Sequence, residues 1–338
     1  MKGNGDGLTV AVVGATGAVG RDLLEAMGQS RLPVSSLRLF ASVATTGETI
    51  ELEGRKHRVW SLLGSDRVPE QFEGMDLVFL ALPPKVARDY GRAIADYDIT
   101  VIDIGANLAD VAPMCIPALD TGALDSISEG RIVCSPSAPA VLVSATLFPL
   151  IRMGAVACTG TVLLSAGAAG KKGLEELSGQ VIALFNQKDP PREIFPAGLA
   201  FDLHTQLGEV EDGWTGPERR VSTELSVLTG LAPERFTLTL AMAPMFAGVM
   251  ASLRVQFDHS PDLVAVRAAL QAQPMVVVGD PLPGARRVAG ESEIFIGRLR
   301  NDPLDDAVHL WAVCDNLRCG ASVNALAIAT TLWSNGYL

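Results

Sequence analysis

The stretch that most constrains this chain is Gly14-Ala15-Thr16-Gly17-Ala18-Val19-Gly20, set between an apolar, β-branched run (Leu8 to Val13) and a segment of helical character (Arg21 to Met27). Strand, glycine turn and helix make the opening unit of an alternating α/β chain, and the glycine spacing has a physical meaning. One glycine permits the tight turn, one lets a pyrophosphate approach the backbone, and one lets helix and strand pack closely. The helix N-terminus then presents unpaired N–H groups to the phosphates. Packing alone can also require such glycines, and both readings stand at this point.

Further strand candidates follow at Ser36 to Phe40, Met75 to Leu82, Thr100 to Ile104 and Arg131 to Cys134, with helical or turn-rich segments between them. That alternation predicts a Rossmann-type, doubly wound parallel sheet. From about residue 155 the pattern changes to longer strand-like runs: Ala155 to Leu164, Phe236 to Met242, Met250 to Phe257, Ile294 to Arg300 and Val308 to Cys314. Ser260-Pro261 announces a helix over Asp262 to Ala272, and Gly216-Pro217 another over Glu218 to Leu228. These features predict an α+β domain with a mostly antiparallel sheet. A last apolar helix, Ala321 to Trp333, is expected to return to the first domain. The expected division is residues 1–136 plus 320–338 for a dinucleotide-binding domain and 137–319 for a catalytic or dimerisation domain, two domains being the ordinary count for 338 residues.

Composition serves mainly to exclude. Acidic residues number 38 against 27 basic, a net charge of −11, and aromatics are 5%, so neither phosphate-backbone binding nor base stacking is provided for. Ile132 to Ile151 and Met153 to Gly170 lack charge for long enough to raise a membrane question. Pro136, Pro139 and Pro149 break the first, and Gly, Ser and Thr dilute the second, so both read as buried elements and no membrane partner is expected. Met1 to Gly7 is short and polar, unlike a secretory lead. Five cysteines (Cys115, Cys134, Cys158, Cys314 and Cys319) at unrelated spacings suggest neither a disulfide framework nor a metal site, and a reducing cytoplasm is the expected compartment.

The second strand ends Phe40-Ala41-Ser42-Val43-Ala44-Thr45-Thr46-Gly47. An acid there would hold a ribose hydroxyl and an arginine would hold the extra phosphate of NADP, but neither is present. Ser42 and Thr45 can hydrogen-bond a ribose or phosphate without charge. Both NADP and NAD therefore stay open.

GATGAVG after VAVV, ASVATTG after the second strand and DNLRCGASVNALAIA near the C-terminus together resemble the aspartate-semialdehyde dehydrogenases, in order over almost the whole chain. SAGAAGKKGLEELSGQVIALFN, LAFDLHTQLGE and PERRVSTEL make the resemblance strongest to the Usg-type paralogues of that family. The resemblance implies a homodimer and an NADP-dependent reductive dephosphorylation, an amino-acid biosynthetic step. A thiolate attacks an acyl phosphate, a histidine shuttles the proton, hydride reduces the thioester, and an arginine grips the substrate carboxylate. Thiolate, imidazole and guanidinium each suit those tasks near neutral pH.

Carried over residue by residue, the resemblance implies loss. Ala138 stands at the nucleophile position, Leu164 at the substrate-orienting glutamine, Met242 at the substrate arginine and Val249 at the histidine. The Glu-Glu-x-Lys substrate motif reads Pro217-Glu218-Arg219-Arg220, the phosphate-binding arginine falls near Ala109, and the NADP-reading arginine falls on Ala44. A cofactor-approaching loop becomes Leu82-Pro83-Pro84-Lys85, where proline has no N–H to donate. No catalytic residue is expected. The expected cofactor set is Gly14, Thr16, Gly17, Ala18, Val19, Ser42, Thr45 and Asn316.

Cys319 stands where the family usually has lysine, without a histidine nearby in sequence. Lys171-Lys172 and Arg219-Arg220 near helix starts admit an anion but equally a solvated basic pair. His57, His204, His259 and His309 lie away from the matched motifs. Two functional expectations result. One is a family member without the family reaction, serving as a binding or interaction homodimer, or as the partner of an active paralogue. The other is a nicotinamide-dependent oxidoreductase acting on a different carbonyl compound.

Overall fold

The structure, a computed structural model, describes residues 7–120, 122, 124 and 131–338; the polar lead before Gly7 lies outside the described residues. The chain divides into two compact units, Met1–Ser137 with Ala321–Leu338, and Ala138–Gly320.

The first unit contains β1 (Leu8–Val13), α1 (Ala18–Gly28), β2 (Val34–Ala41), β3 (Thr49–Leu52), β4 (Arg55–Ser61), α2 (Val68–Phe72), β5 (Leu77–Leu80), α3 (Pro84–Ala95), β6 (Thr100–Ile104) and β7 (Ile132–Ser135), closed by the chain's last helix, α8 (Val323–Ser334). Its sheet runs β3-β4-β2-β1-β5-β6-β7, parallel throughout except for the β3–β4 hairpin. Strand order reverses between β1 and β5, and the crevice beyond their carboxyl ends is where such sheets bind ligands. β1 and β5 are buried because both faces are covered, which is why they read as unbroken apolar runs. One apolar cluster joins Val10, Val12 and Leu23 to Phe79, Ile102, Ala325, Ile328 and Leu332, so α8 belongs to this core. Within it, Asn324 Nδ2 donates to the Cys115 carbonyl at 3.0 Å and to Ser135 Oγ at 2.9 Å.

The β3–β4 hairpin is an addition to the elements expected from the sequence. Its two-residue turn is Glu53-Gly54, with φ of 49° and 76°, the left-handed pair that a tight hairpin needs. Glutamate is an unusual residue there, so the familiar Asn-Gly or Asp-Gly signal is missing.

The second unit contains α4 (Ala138–Ile151), β8 (Ala155–Leu164), α5 (Gly170–Phe185), β9 (Val210–Glu211), β10 (Trp214–Thr215), α6 (Gly216–Thr229), β11 (Phe236–Met242), β12 (Val249–Phe257), α7 (Leu263–Gln271), β13 (Val276–Val278), β14 (Ile294–Asn301) and β15 (Ala307–Cys314). The sheet runs β11-β8-β12-β15-β14-β13. Its three inner pairings are antiparallel and its two outer ones, β11–β8 and β13–β14, are parallel. The long connection through α5 and α6 returns β11 alongside β8 in the same direction.

α4 is apolar on all sides because it is buried on all sides, packed against β8, β12 and β15 as well as α6 and α7. The charge-free run that includes it is thus the β7 strand followed by an enclosed helix. Among the described residues no helix is long and apolar enough to cross a membrane. At α7 the cap is Asp262, whose Oδ1 accepts the Val264 N–H at 3.0 Å, rather than Ser260. The carboxylate two residues further on reaches the first free N–H directly.

Candidate functional site

In the first unit the three loop glycines have different reasons to be glycine. Gly14 has a φ of +88°, and a Cβ there would lie 2.2 Å from the Ala81 carbonyl oxygen beyond β5; a Cβ at Gly20 would lie 2.2 Å from the Gly14 oxygen. Packing alone demands both. Gly17 is exposed, has a φ of −72°, and its Cβ would meet only the Gly14 oxygen, at 3.3 Å. The turn's own packing therefore constrains position 17 far less than 14 or 20, and a phosphate group drawn close to the backbone adds its own reason for glycine there. Ala18 and Val19 form the first turn of α1, whose N–H groups lack intrahelical acceptors. The Gly14 and Ala15 N–H groups both donate to the Phe40 carbonyl, at 2.9 and 3.1 Å, and so tie the loop to β2. Thr16 Oγ1 and Thr45 Oγ1 lie 3.0 Å apart and join the loop to the turn after β2, while Ser42 is exposed at the start of that turn. These residues fit a dinucleotide pyrophosphate on the α1 side. α3, by contrast, opens on Pro83-Pro84 and has fewer donors to offer.

In the second unit, three of the positions that the resemblance singles out fall in one row across neighbouring strands. Met242 on β11 and Val249 on β12 both pair with Leu164 on β8, and Val249 also pairs with Cys314 on β15. The row is wholly without charge. Met242 packs into a cluster with Ala166, Leu174, Leu177 and Leu199, and its backbone exchanges hydrogen bonds of 2.7 and 3.0 Å with His204. Sequence spacing gave no sign that His204 sits beside this position. The His204 ring is bonded to the Gly198 carbonyl and is thus engaged. Ala138 is the first residue of α4, in contact with Gly320.

Asn316 and Asp315 have separate tasks. Asn316 Oδ1 accepts the Gly248 N–H at 2.6 Å and the Ser165 hydroxyl at 3.3 Å, which fixes the amide and leaves Nδ2 next to Gly167. Asp315 is a turn carboxylate, accepting N–H groups of Gly290, Leu317 and Arg318 at 2.7 to 2.9 Å. Asn316 and Gly167 border a cleft of about 570 Å³ whose other walls include Leu174, Ile182, Phe246 and Leu317. Among these walls only Asn316 was expected to bind a ligand; Gly167, Leu174, Ile182 and Leu317 lie within the quoted motifs but carry no polar side chain.

The charged candidates are engaged locally. Glu218 is buried, its Oε2 accepting the Thr215 N–H at 2.8 Å and its Oε1 the Leu240 N–H at 3.0 Å, so this acid clamps α6 to β11. Arg219 pairs with Glu211 at 2.8 Å, Arg220 with the buried Glu224 at 2.8 Å, and Lys171 with Glu175 at 3.6 Å. Ala44 and Ala109 are exposed and apolar. All five cysteines are buried, and none is in a disulfide. Burial pushes the Cys115 and Cys158 thiols up to about 12. A hydrogen bond with Cys319, together with burial, holds Cys314 well above the ordinary thiol value. His309 Nε2 contacts Asp302 Oδ2 at 2.8 Å, and Asp302 also accepts Arg254 Nε at 2.9 Å. Among the described residues no cluster of three His, Cys, Asp or Glu could hold a metal ion.

A doubly wound sheet with a glycine loop at its switch point, in one chain with a mixed-sheet α+β unit, is the organisation of a two-domain dinucleotide-dependent dehydrogenase. Residues 9–127 match the semialdehyde dehydrogenase NAD-binding domain and residues 147–319 the semialdehyde dehydrogenase dimerisation domain, and the chain belongs to that family. A USG-1 protein homolog of Azotobacter vinelandii is 32% identical over 97% of this chain and 98% of that protein. Aspartate semialdehyde dehydrogenase II of Vibrio cholerae superposes with a TM-score of 0.91 at 26% identity, covering 98% of this chain and 100% of that one. A probable aspartate-semialdehyde dehydrogenase of Pseudomonas aeruginosa gives 0.88 at 30% identity, with 98% and 100% covered.

Proposed function

We propose that this protein is a cytoplasmic, homodimeric member of the semialdehyde dehydrogenase family that binds a nicotinamide dinucleotide but has lost the reductive dephosphorylation of aspartyl phosphate, and acts as a binding or interaction protein. The observation that carries this reading is the uncharged row Met242–Leu164–Val249 across three adjacent strands, with Ala138 heading α4. A carboxylate clamp, an orienting amide, a proton shuttle and a nucleophile are replaced together by groups that can neither carry charge nor donate a proton. Groups that act as one catalytic unit fail as one. Support for the retained dinucleotide comes from Gly17, where the loop's packing presses on a Cβ far less than at Gly14 or Gly20. The dimer rests on the matched dimerisation domain.

The deciding experiment is phosphate-dependent reduction of NADP by aspartate semialdehyde, run beside a thermal-shift titration with NADPH and NADH. Saturable stabilisation without turnover is expected. Turnover at rates typical of enzymes, abolished by substitution in the Leu164–Val249 row, would overturn the reading. A second reading, an oxidoreductase for a neutral carbonyl compound, is favoured by Asn316, whose oriented amide borders a mostly apolar cleft. A panel of small aldehydes and ketones with both cofactors tests it, and silence across the panel removes it.

A further inference from the structure

The turn after β2 carries no charge from Ser42 to Gly47, yet the space beside it does. Arg21, in the first turns of α1, folds its side chain back toward the helix N-terminus, as helical side chains do. Its Nε donates to the Thr16 carbonyl at 3.1 Å and its Nη2 lies 3.3 Å from Glu48 Oε2, just past the β2 turn. Thr16 in turn meets Thr45 through their hydroxyls. Arg21 and Glu48 therefore flank the point where glycine loop and β2 turn meet, and both side chains are about half exposed, at 54% and 45%.

We propose that the Arg21–Glu48 ion pair is the cofactor-selecting element of this chain, reading both dinucleotides: Arg21 takes the 2′-phosphate of NADP, and Glu48 takes the ribose hydroxyls of NAD. The inference rests on the dinucleotide reading of the glycine loop given above. Selection at this end of a doubly wound sheet needs an acid for the free ribose or a guanidinium for the phosphate. Here one of each occupies a single place, supplied from α1 and from beyond the turn. An exposed pair of this kind is weak, so a ligand can take either partner at small cost. Guanidinium can then grip phosphate with parallel, charge-assisted bonds, and the displaced carboxylate turns to water. Because the pair is neutral as a whole, neither cofactor is strongly rejected.

The test is calorimetric binding of NADPH and NADH to the full chain and to Arg21→Gln, Arg21→Lys and Glu48→Gln. In the wild type the two affinities should lie within roughly tenfold of each other. Arg21→Gln should weaken NADPH by about tenfold and leave NADH within about twofold, with Arg21→Lys recovering part of the loss. Glu48→Gln should tilt the ratio the other way, strengthening NADPH and weakening NADH. Unchanged affinity ratios in variants that still bind would overturn the selecting role alone. No binding of either dinucleotide to the wild type would overturn the glycine-loop reading and this inference with it.

Discussion

Gly320 packs directly on Ala138: a Cβ at position 320 would lie 2.4 Å from the Ala138 Cβ and 2.9 Å from its Cα. The head of α4 and the turn after β15 are thus fitted to two very small residues. Gly320→Ala should destabilise the protein by about 1–3 kcal/mol, the usual cost of overpacking a fitted contact, and Ala138→Gly should return part of it. Urea unfolding of the two single variants and the double variant measures both terms.

Met242 is the position to which the resemblance assigns a substrate-gripping arginine, and its apolar surroundings oppose one. Its side chain lies among Ala166, Leu174, Leu177 and Leu199. Met242 is partly buried, and Met242→Arg should cost about 1–3 kcal/mol, because a guanidinium held among these apolar side chains loses part of its water. Met242→Leu should cost less than about 1.5 kcal/mol. Unfolding midpoints decide it; an arginine tolerated without loss would mean that the guanidinium reaches water past these side chains.

Much of the fold was legible because apolar period and turn residues act locally. The limits expected for β1, β6, β8 and β11 coincide with those observed; β1 lies between two glycines and β8 between a glycine and a serine. The β3–β4 hairpin was not legible, since its left-handed turn position is held by Glu53, a residue that gives no turn signal. At the site, order along the chain could name Leu164, Met242 and Val249, but only strand register makes them neighbours. Glu218 looked like a remnant of substrate binding, and only its two backbone acceptor contacts reveal a clamp. Arg21 and Glu48 lie 27 residues apart, and no local pattern links them.

Glu176 gives the fold a measurable acid limb. It is buried on α5 and accepts the N–H groups of Glu193, Ile194 and Phe195 at 2.6 to 2.9 Å, with Gln180 donating at 3.1 Å. Burial alone would raise its carboxyl, but these donors together hold it below the usual value. A carboxyl depressed in the folded state contributes stability above its unfolded value, about 4.3, and that contribution is lost as pH falls through the folded value. Glu176→Gln should therefore be less stable than the wild type at neutral pH, with the gap closing below about pH 4. Urea midpoints measured from pH 7 down to pH 3 give both curves, and a gap independent of pH would show that charge at Glu176 contributes nothing.

Gly17 separates packing from ligand approach within one loop. Gly14→Ala forces a Cβ to 2.2 Å from the Ala81 oxygen at a φ of +88°, so it should unfold the loop and cost about 2 kcal/mol or more. Gly17→Ala asks the Gly14 oxygen to yield only slightly from 3.3 Å, at a φ of −72° that alanine accepts. Its stability should stay within about 1 kcal/mol of the wild type. A methyl group on the face where the pyrophosphate approaches should nevertheless weaken NADPH and NADH alike, by about tenfold, since the glycine there admits the phosphate to the backbone. Thermal unfolding with and without each dinucleotide reads stability and binding in one series. Equal ligand-induced shifts in wild type and Gly17→Ala would mean that the dinucleotide does not lie on this turn.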